Sequence, residues 1–209
     1  MLKVILFDWD GTCHNSLSKI IHCYEHAMKT LGYKPDWESV HIYLGFPIPV
    51  FSGYACPEKP EEYVKEYLKE YLSLPEAPLY EGTLKTLTEL KKDFSLGLVT
   101  GKPKVNTVSC LENVGMSHIF DCMVCAEDTE RAKPYADPLL KALDYFNVKP
   151  NEAVYIGDAF NDFKASKAAG VPVIAVTWGG LRREETENEN PDFIADTWED
   201  VINICRKLK

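Results

Sequence analysis

Val4-Ile5-Leu6-Phe7-Asp8-Trp9-Asp10-Gly11-Thr12 is an apolar run that stops at two carboxylates. Four consecutive apolar residues suit a strand buried on both faces of a parallel sheet. Side chains alternate along an extended chain, so Asp8 and Asp10 project to one side while Trp9 points elsewhere. Gly11 permits a tight turn and is expected to offer an unobstructed N–H. Two acids on one side of a strand end can hold a cation, supply a nucleophile with an acid/base partner, or both. Asp and Gly are also ordinary turn residues, so the rest of the chain has to decide.

The same arrangement returns further along. Leu96-Gly97-Leu98-Val99 ends at Thr100-Gly101-Lys102, and Ala153-Val154-Tyr155-Ile156 ends at Gly157-Asp158, with Asp162 following. Lys133-Pro134 lies between them, in the loop before a predicted helix that starts at Asp137-Pro138 with the acid as N-cap. From Gly82 onward apolar runs alternate with helical stretches, the signature of βαβ units. In open α/β sheets ligands bind outside the carboxyl ends of the strands. Three apolar runs here deliver Asp, Thr and Asp to that end, with a Lys between the last two.

Residues 15–80 read as a helical insertion between the first and second strands. Ser16 or Asn15 can cap a helix with Leu17, Ile20, Ile21, Tyr24, Ala27, Met28 and Leu31 on one face, and Gly32 ends it. Tyr63, Val64, Tyr67, Leu68, Tyr71 and Leu72 mark a second amphipathic helix whose aromatic positions are packing residues. Pro75 and Pro78 mark the exit. His22 and His26 are four apart, but no third ligand accompanies them, and they read as surface residues.

The chain's 209 residues suit one core domain plus a modest insertion. Its net charge of −9 and the lack of a basic stripe argue against nucleic acid or an anionic membrane as partner. No apolar stretch approaches the ~18 residues of a membrane span, and the N-terminal run meets acids too soon for a signal peptide. Seven scattered cysteines, an odd number, suggest a reducing cytoplasm. Cys122 and Cys125 would face opposite sides of a strand, which spoils a shared metal or disulfide.

Asp8-x-Asp10-Gly11-Thr12, Thr100-Gly101, Lys133-Pro134 and Gly157-Asp158-x-x-x-Asp162, in that order over essentially the whole chain, resemble the haloacid dehalogenase superfamily. The similarity is greatest to its phosphoglycolate-phosphatase-like branch. The resemblance implies an α/β fold, a Rossmann-like parallel-sheet core of residues 1–14 and 81–209 with a small inserted all-helical cap of residues 15–80. It also implies a Mg²⁺-dependent phosphatase for a small phosphorylated metabolite, a cytoplasmic monomer or homodimer.

The roles it implies suit the residue types. Hydrolysis of a phosphate monoester is so slow uncatalysed that accelerations up to ~10²¹ are needed. Asp8 would attack phosphorus in line to form an aspartyl-phosphate. Asp10 would protonate the leaving oxygen and later take a proton from water. Mg²⁺ would be held by the Asp8 carboxylate, the Asp10 main-chain carbonyl and the Asp158 carboxylate. Asp162 would stand behind them and orient Lys133 or a metal-bound water. Thr100, Gly101 and Lys133, with Gly11 and Thr12, would hold the transferring phosphoryl oxygens.

Three departures matter. Cys13-His14-Asn15 stands where relatives commonly show Leu, a variable residue and Asp. Leu44-Gly45-Phe46-Pro47-Ile48-Pro49-Val50 has no charge, although related cap loops often carry Arg or Lys. That weakens phosphoglycolate as the substrate. Ala136 replaces a common Pro, an exchange expected to be harmless. A phosphosugar mutase would share every core residue. A dehalogenase would need neither the second acid nor a metal, and a phosphonate hydrolase would need a cap lysine that nothing singles out. A phospho-ligand binder without turnover would leave the nucleophile and acid/base unexplained.

Overall fold

Six parallel strands form one sheet in the computed structural model, which describes residues 1–209. They are β1 (Val4–Phe7), β2 (Ser95–Val99), β3 (Cys122–Val124), β4 (Ala153–Gly157), β5 (Val173–Val176) and β6 (Phe193–Ala195), in the order β3-β2-β1-β4-β5-β6. β1 lies between β2 and β4, with Phe7 opposite Leu98 on one side and Ile156 on the other. The strand order therefore reverses at β1, where an open α/β sheet forms its crevice.

Both sheet faces are covered, which is why the strands are apolar at consecutive positions. Ile5, Phe7, Leu96, Leu98, Val154 and Ile156 enter a core of 21 buried residues on one face. It is closed by α5 (Thr83–Leu90), α6 (Lys104–Asn113) and α10 (Trp198–Leu208). Val4, Leu6, Tyr155 and Val173 enter a second core of 17 on the other face, under α7 (Asp137–Phe146) and α8 (Phe160–Ala169). Each fully buried Leu, Ile or Phe contributes about 1.5–3 kcal/mol from its apolar area. A short α9 (Arg183–Asn188) precedes β6.

Between β1 and α5 lie α1 (Leu17–Thr30), α2 (Trp37–Val40), α3 (Ile48–Ala55) and α4 (Pro60–Ser73). They enclose a core of 11 residues that includes Tyr24, Met28, Phe51, Tyr63, Tyr67 and Tyr71. The α4 tyrosines form a stripe with ring centroids 5.9 and 6.1 Å apart. Leu72, expected on this face, is 75% exposed, because it follows Tyr71 around the helix and points away. The two connectors run side by side. Asn15 N–H donates to Pro78 O at 2.9 Å, Tyr80 N–H donates to Cys13 O at 3.1 Å, and His14 bridges to Leu79.

Local signals shift slightly. Ser16 holds the N-cap position of α1, but its hydroxyl turns back to His14 O and caps nothing. Asp137 is the first residue inside α7 rather than its cap, because its carboxylate accepts both Arg131 donors at 3.0 and 2.9 Å. All seven cysteines are free and buried. Burial pushes the Cys122 and Cys125 thiols up to about 11, so neither is a reactive thiolate. No helix is long and apolar enough to cross a membrane.

Candidate active site

The carboxyl end of β1 opens into a cavity of about 520 Å³, bordered by Asp8, Asp10, Gly11, Thr100, Gly101 and Asp158. Lys133 and Asp162 stand behind Asp8, 2% and 0% exposed. The structure thus gathers eight of the nine sequence-predicted site residues around one point. Thr12 is the exception, because its hydroxyl donates to Asp158 Oδ1 at 2.7 Å. A buried carboxylate needs donors, and Thr12 supplies one instead of facing the cavity. Gly11 also differs from its expected use, since its N–H donates to His14 O at 2.9 Å. The glycine is required for another reason. At φ 87° it sits so close to Asp158 that an added Cβ would lie 2.2 Å from Oδ2.

Lys133 organises the buried half of the site. Its Nζ donates to Asp8 Oδ1 at 2.7 Å, to Asp162 Oδ1 at 2.6 Å and to Tyr155 Oη at 2.8 Å. Burial opposes its charge, but Asp162 and Asp8 outweigh burial and hold the ammonium well above its usual range. Asp162 is saturated. Its Oδ1 accepts Lys133 and the Tyr155 hydroxyl, and its Oδ2 accepts the N–H groups of Asp158 and Ala159. Asp158 accepts Thr12 on Oδ1 and Gly180 N–H on Oδ2 at 2.8 Å. Asp8 is engaged only through Oδ1.

The charges here do not balance. Carboxylate oxygens of Asp8, Asp158 and Asp162 lie within 4.8 Å of one another against the single ammonium of Lys133. Burial, then the neighbouring Asp162, pushes Asp158 up to about 7. Burial likewise raises Asp8, with Lys133 opposing and Asp162 and Asp158 reinforcing. An all-oxygen set with two surplus negative charges fits a hard divalent cation. Asp8 and Asp158 keep lone pairs that could hold one, whereas all four of Asp162's are taken.

The metal-free protein should show this imbalance as a pH dependence. Asp158 rises from 3.8 to about 7 on folding, so the native state binds a proton that the unfolded chain has lost. Stability is then greatest below about pH 4 for this group and falls as the pH rises toward about 7. Asp10, shifted the other way, acts only below that window. Thermal unfolding in chelator should show a falling midpoint between about pH 4.5 and 7. A rising midpoint would contradict the charge surplus.

Asp10 lies in a different environment. Lys102 Nζ donates to its two carboxylate oxygens at 3.3 and 3.1 Å, and His14 Nδ1 lies 3.1 Å from Oδ1. Burial alone would raise the carboxyl, but Lys102 and His14 outweigh it and hold Asp10 well below the usual carboxylate range. His14 is fully buried, stacked on Trp9 at 5.2 Å, and its Nε2 donates to Ala77 O at 2.8 Å. Lys102 also donates to Tyr71 Oη at 2.8 Å, joining Asp10 to α4. Sequence reasoning assigned no role to Lys102, His14 or Tyr155. Two advance signals existed: His14 lies in a stretch that departs from the family pattern, and Tyr155 is a hydroxyl inside an apolar strand that must find a partner.

The helical insertion closes directly over the Thr100 loop. Gly45 O sits so near Gly101 that an added Cβ there would lie 2.4 Å from it. His41 of the insertion pairs with Glu185 at 2.8 Å, and Glu38 pairs with Arg182 beside it. These contacts hold the insertion against the sheet domain at the cavity's edge.

A family model described as haloacid dehalogenase-like hydrolase matches residues 5–176. The pyrophosphatase PpaX of Bacillus cereus is 32% identical over 215 residues, covering 99% of this chain and 98% of that protein. PpaX of Anoxybacillus flavithermus is 30% identical, covering 97% and 96%. Among solved structures, a haloacid dehalogenase-like family hydrolase from Streptococcus pneumoniae superposes with a TM-score of 0.85 at 27% identity, covering 97% and 98%. A predicted phosphoglycolate phosphatase from Haemophilus somnus gives 0.86 at 25% identity, covering 97% of each chain.

Proposed function

This chain belongs to the haloacid dehalogenase-like hydrolases and is a phosphatase of that family, and on that footing we propose that it is a Mg²⁺-dependent hydrolase of a small phosphorylated metabolite. The observation that carries the proposal is the pairing of two unlike carboxylates. Asp8 is raised by burial among acids and fixed through one oxygen by Lys133. Asp10 is held ionised by Lys102 and His14. With a divalent cation held against it Asp8 would ionise and serve as the nucleophile, which leaves Asp10, on the same cavity, for proton transfer.

In the proposed reaction Asp8 Oδ2, which has no protein partner, attacks phosphorus and forms the aspartyl-phosphate. Lys133 orients Asp8 through Oδ1 and opposes the burial that raises it, and a bound divalent cation would complete its ionisation. Thr100 and the backbone at Gly101 border the space where the phosphoryl oxygens would sit. Asp10 takes up a proton as the negative phosphoryl group arrives beside it, a like charge that opposes the pull of Lys102, and passes that proton to the leaving oxygen. Asp10 then accepts a proton from the water that cleaves the intermediate. Bound Mg²⁺, held by Asp8, Asp158 and the Asp10 carbonyl, would neutralise charge on the phosphoryl group. Free buried cysteines support a reducing compartment as the place of action.

Phosphate release from a panel of phosphorylated metabolites, with and without Mg²⁺, tests this reading. Release that requires Mg²⁺ is the expected result. No release from any member by folded protein would overturn it, and isomerisation of a hexose phosphate without release would instead select a phosphosugar mutase.

A further inference from the structure

The cavity has two unlike ends. Asp8, Asp10, Asp158 and Glu127 border it on the core side. The opposite wall is built by Leu17, Ile20, Phe46, Ile48, Val64 and Leu68, and no residue of the insertion that lines the cavity is charged. The polar side-chain atoms on that wall are the hydroxyls of Tyr67 and Tyr71, and Tyr71 already accepts from Lys102. Lys102 is the one cation at the cavity border, and its ammonium is occupied by Asp10 on one side and Tyr71 on the other. Lys19 of the insertion is directed at Leu74 O and the Tyr71 ring, outside the cavity.

A leaving group that reaches this wall is stripped of water. If it carries charge, it meets apolar side chains ahead and carboxylates behind, with no cation free to pair with it. Burying an unpaired charge or an unsatisfied polar group is strongly unfavourable. An apolar group in the same place is stabilised by the area it removes from water. We infer that the substrate is a phosphate monoester of an uncharged, largely apolar alcohol, and that pyrophosphate and phosphoglycolate are poor substrates. This rests on the phosphatase reading above and sharpens it. It also sets the chain apart from the relatives named pyrophosphatase, because the second phosphoryl group of pyrophosphate would face the uncharged wall.

The test compares kcat/KM for hexyl phosphate and benzyl phosphate with glycerol phosphate, phosphoglycolate and pyrophosphate, all with Mg²⁺. The first four are esters of alkyl alcohols, and pyrophosphate, an anhydride, has the better leaving group, so leaving-group reactivity does not favour hexyl or benzyl phosphate. Acetyl phosphate, whose leaving group is too short to fill the wall, reports the core chemistry, with Asp8→Asn as the blank. Hexyl or benzyl phosphate should exceed phosphoglycolate and pyrophosphate by at least about 100-fold, mostly through KM. Ile48→Lys, or Leu68→Lys should the first variant misfold, should shrink that ratio by at least about 10-fold by giving an anionic tail a partner.

Asp8-dependent hydrolysis of acetyl phosphate together with equal or better use of phosphoglycolate or pyrophosphate would overturn the inference while leaving the phosphatase standing. Absence of Asp8-dependent release from every substrate would overturn both.

Discussion

Asp8→Asn should lower phosphate release by at least about 10⁴-fold, the scale on which removing an attacking group acts. The fold should survive, because the Asn amide oxygen can still accept from Lys133, 2.7 Å away in the native protein. Its effect on stability should distinguish it from an ordinary damaging substitution. The buried carboxylates of Asp8, Asp158 and Asp162 share one ammonium, so removing one charge relieves repulsion. In chelator the variant should unfold at the same temperature as the parent or higher. Mg²⁺ at about 100 times its Kd would stabilise the parent by about 2.7 kcal/mol, and the variant should gain less. Retained turnover would remove Asp8 from the nucleophile's position.

Lys133→Met should have the largest effect on stability. Lys133 is 2% exposed and joins Asp8, Asp162 and Tyr155 at a single nitrogen. Breaking a buried ion pair from one side leaves uncompensated charge and costs about 3–5 kcal/mol. For a chain of this size that lowers the unfolding midpoint by roughly 6–20 °C. Activity should fall by about 10³-fold, since the group that orients Asp8 is lost. Differential scanning calorimetry with and without Mg²⁺ measures the loss, and Mg²⁺ should recover part of it. A drop under about 2 °C would mean that the carboxylates shed their charge at little cost.

The sheet was legible because each strand is apolar on both faces, and β1, β2 and β4 each end at a polar group. Asp8, Thr100 and Asp158 are found at those ends. What sequence could not reveal is how the polar groups divide their partners. Thr12 and Gly11 looked available for phosphate, yet Thr12 serves Asp158 and the Gly11 N–H serves His14. Lys102 drew no reading from the sequence, and its engagement with Asp10 depends on the loop between β2 and α6 meeting α4 at one cavity edge. Apart from the local Gly11–His14 bond, these contacts join residues 31 to 146 positions apart, beyond any local pattern. The α4 aromatic stripe was legible as packing, except at Leu72, where a single residue's turn around the helix reverses the face.

The connectors at 13–16 and 77–80 are hydrogen-bonded to each other rather than hanging as separate threads. A two-stranded strap bends readily across its width and resists shear along its length, since sliding would break the Asn15–Pro78 and Tyr80–Cys13 bonds together. A movement of the helical insertion relative to the sheet is therefore expected to be a swing about the strap. Opening would first part Gly45 from Gly101 and His41 from Glu185, both far from the strap in sequence. His14 lies in the strap and touches Asp10, so the axle of the lid and the neighbour of the proton-transfer group are one residue. A swing of the insertion would therefore also move the His14 contact to Asp10.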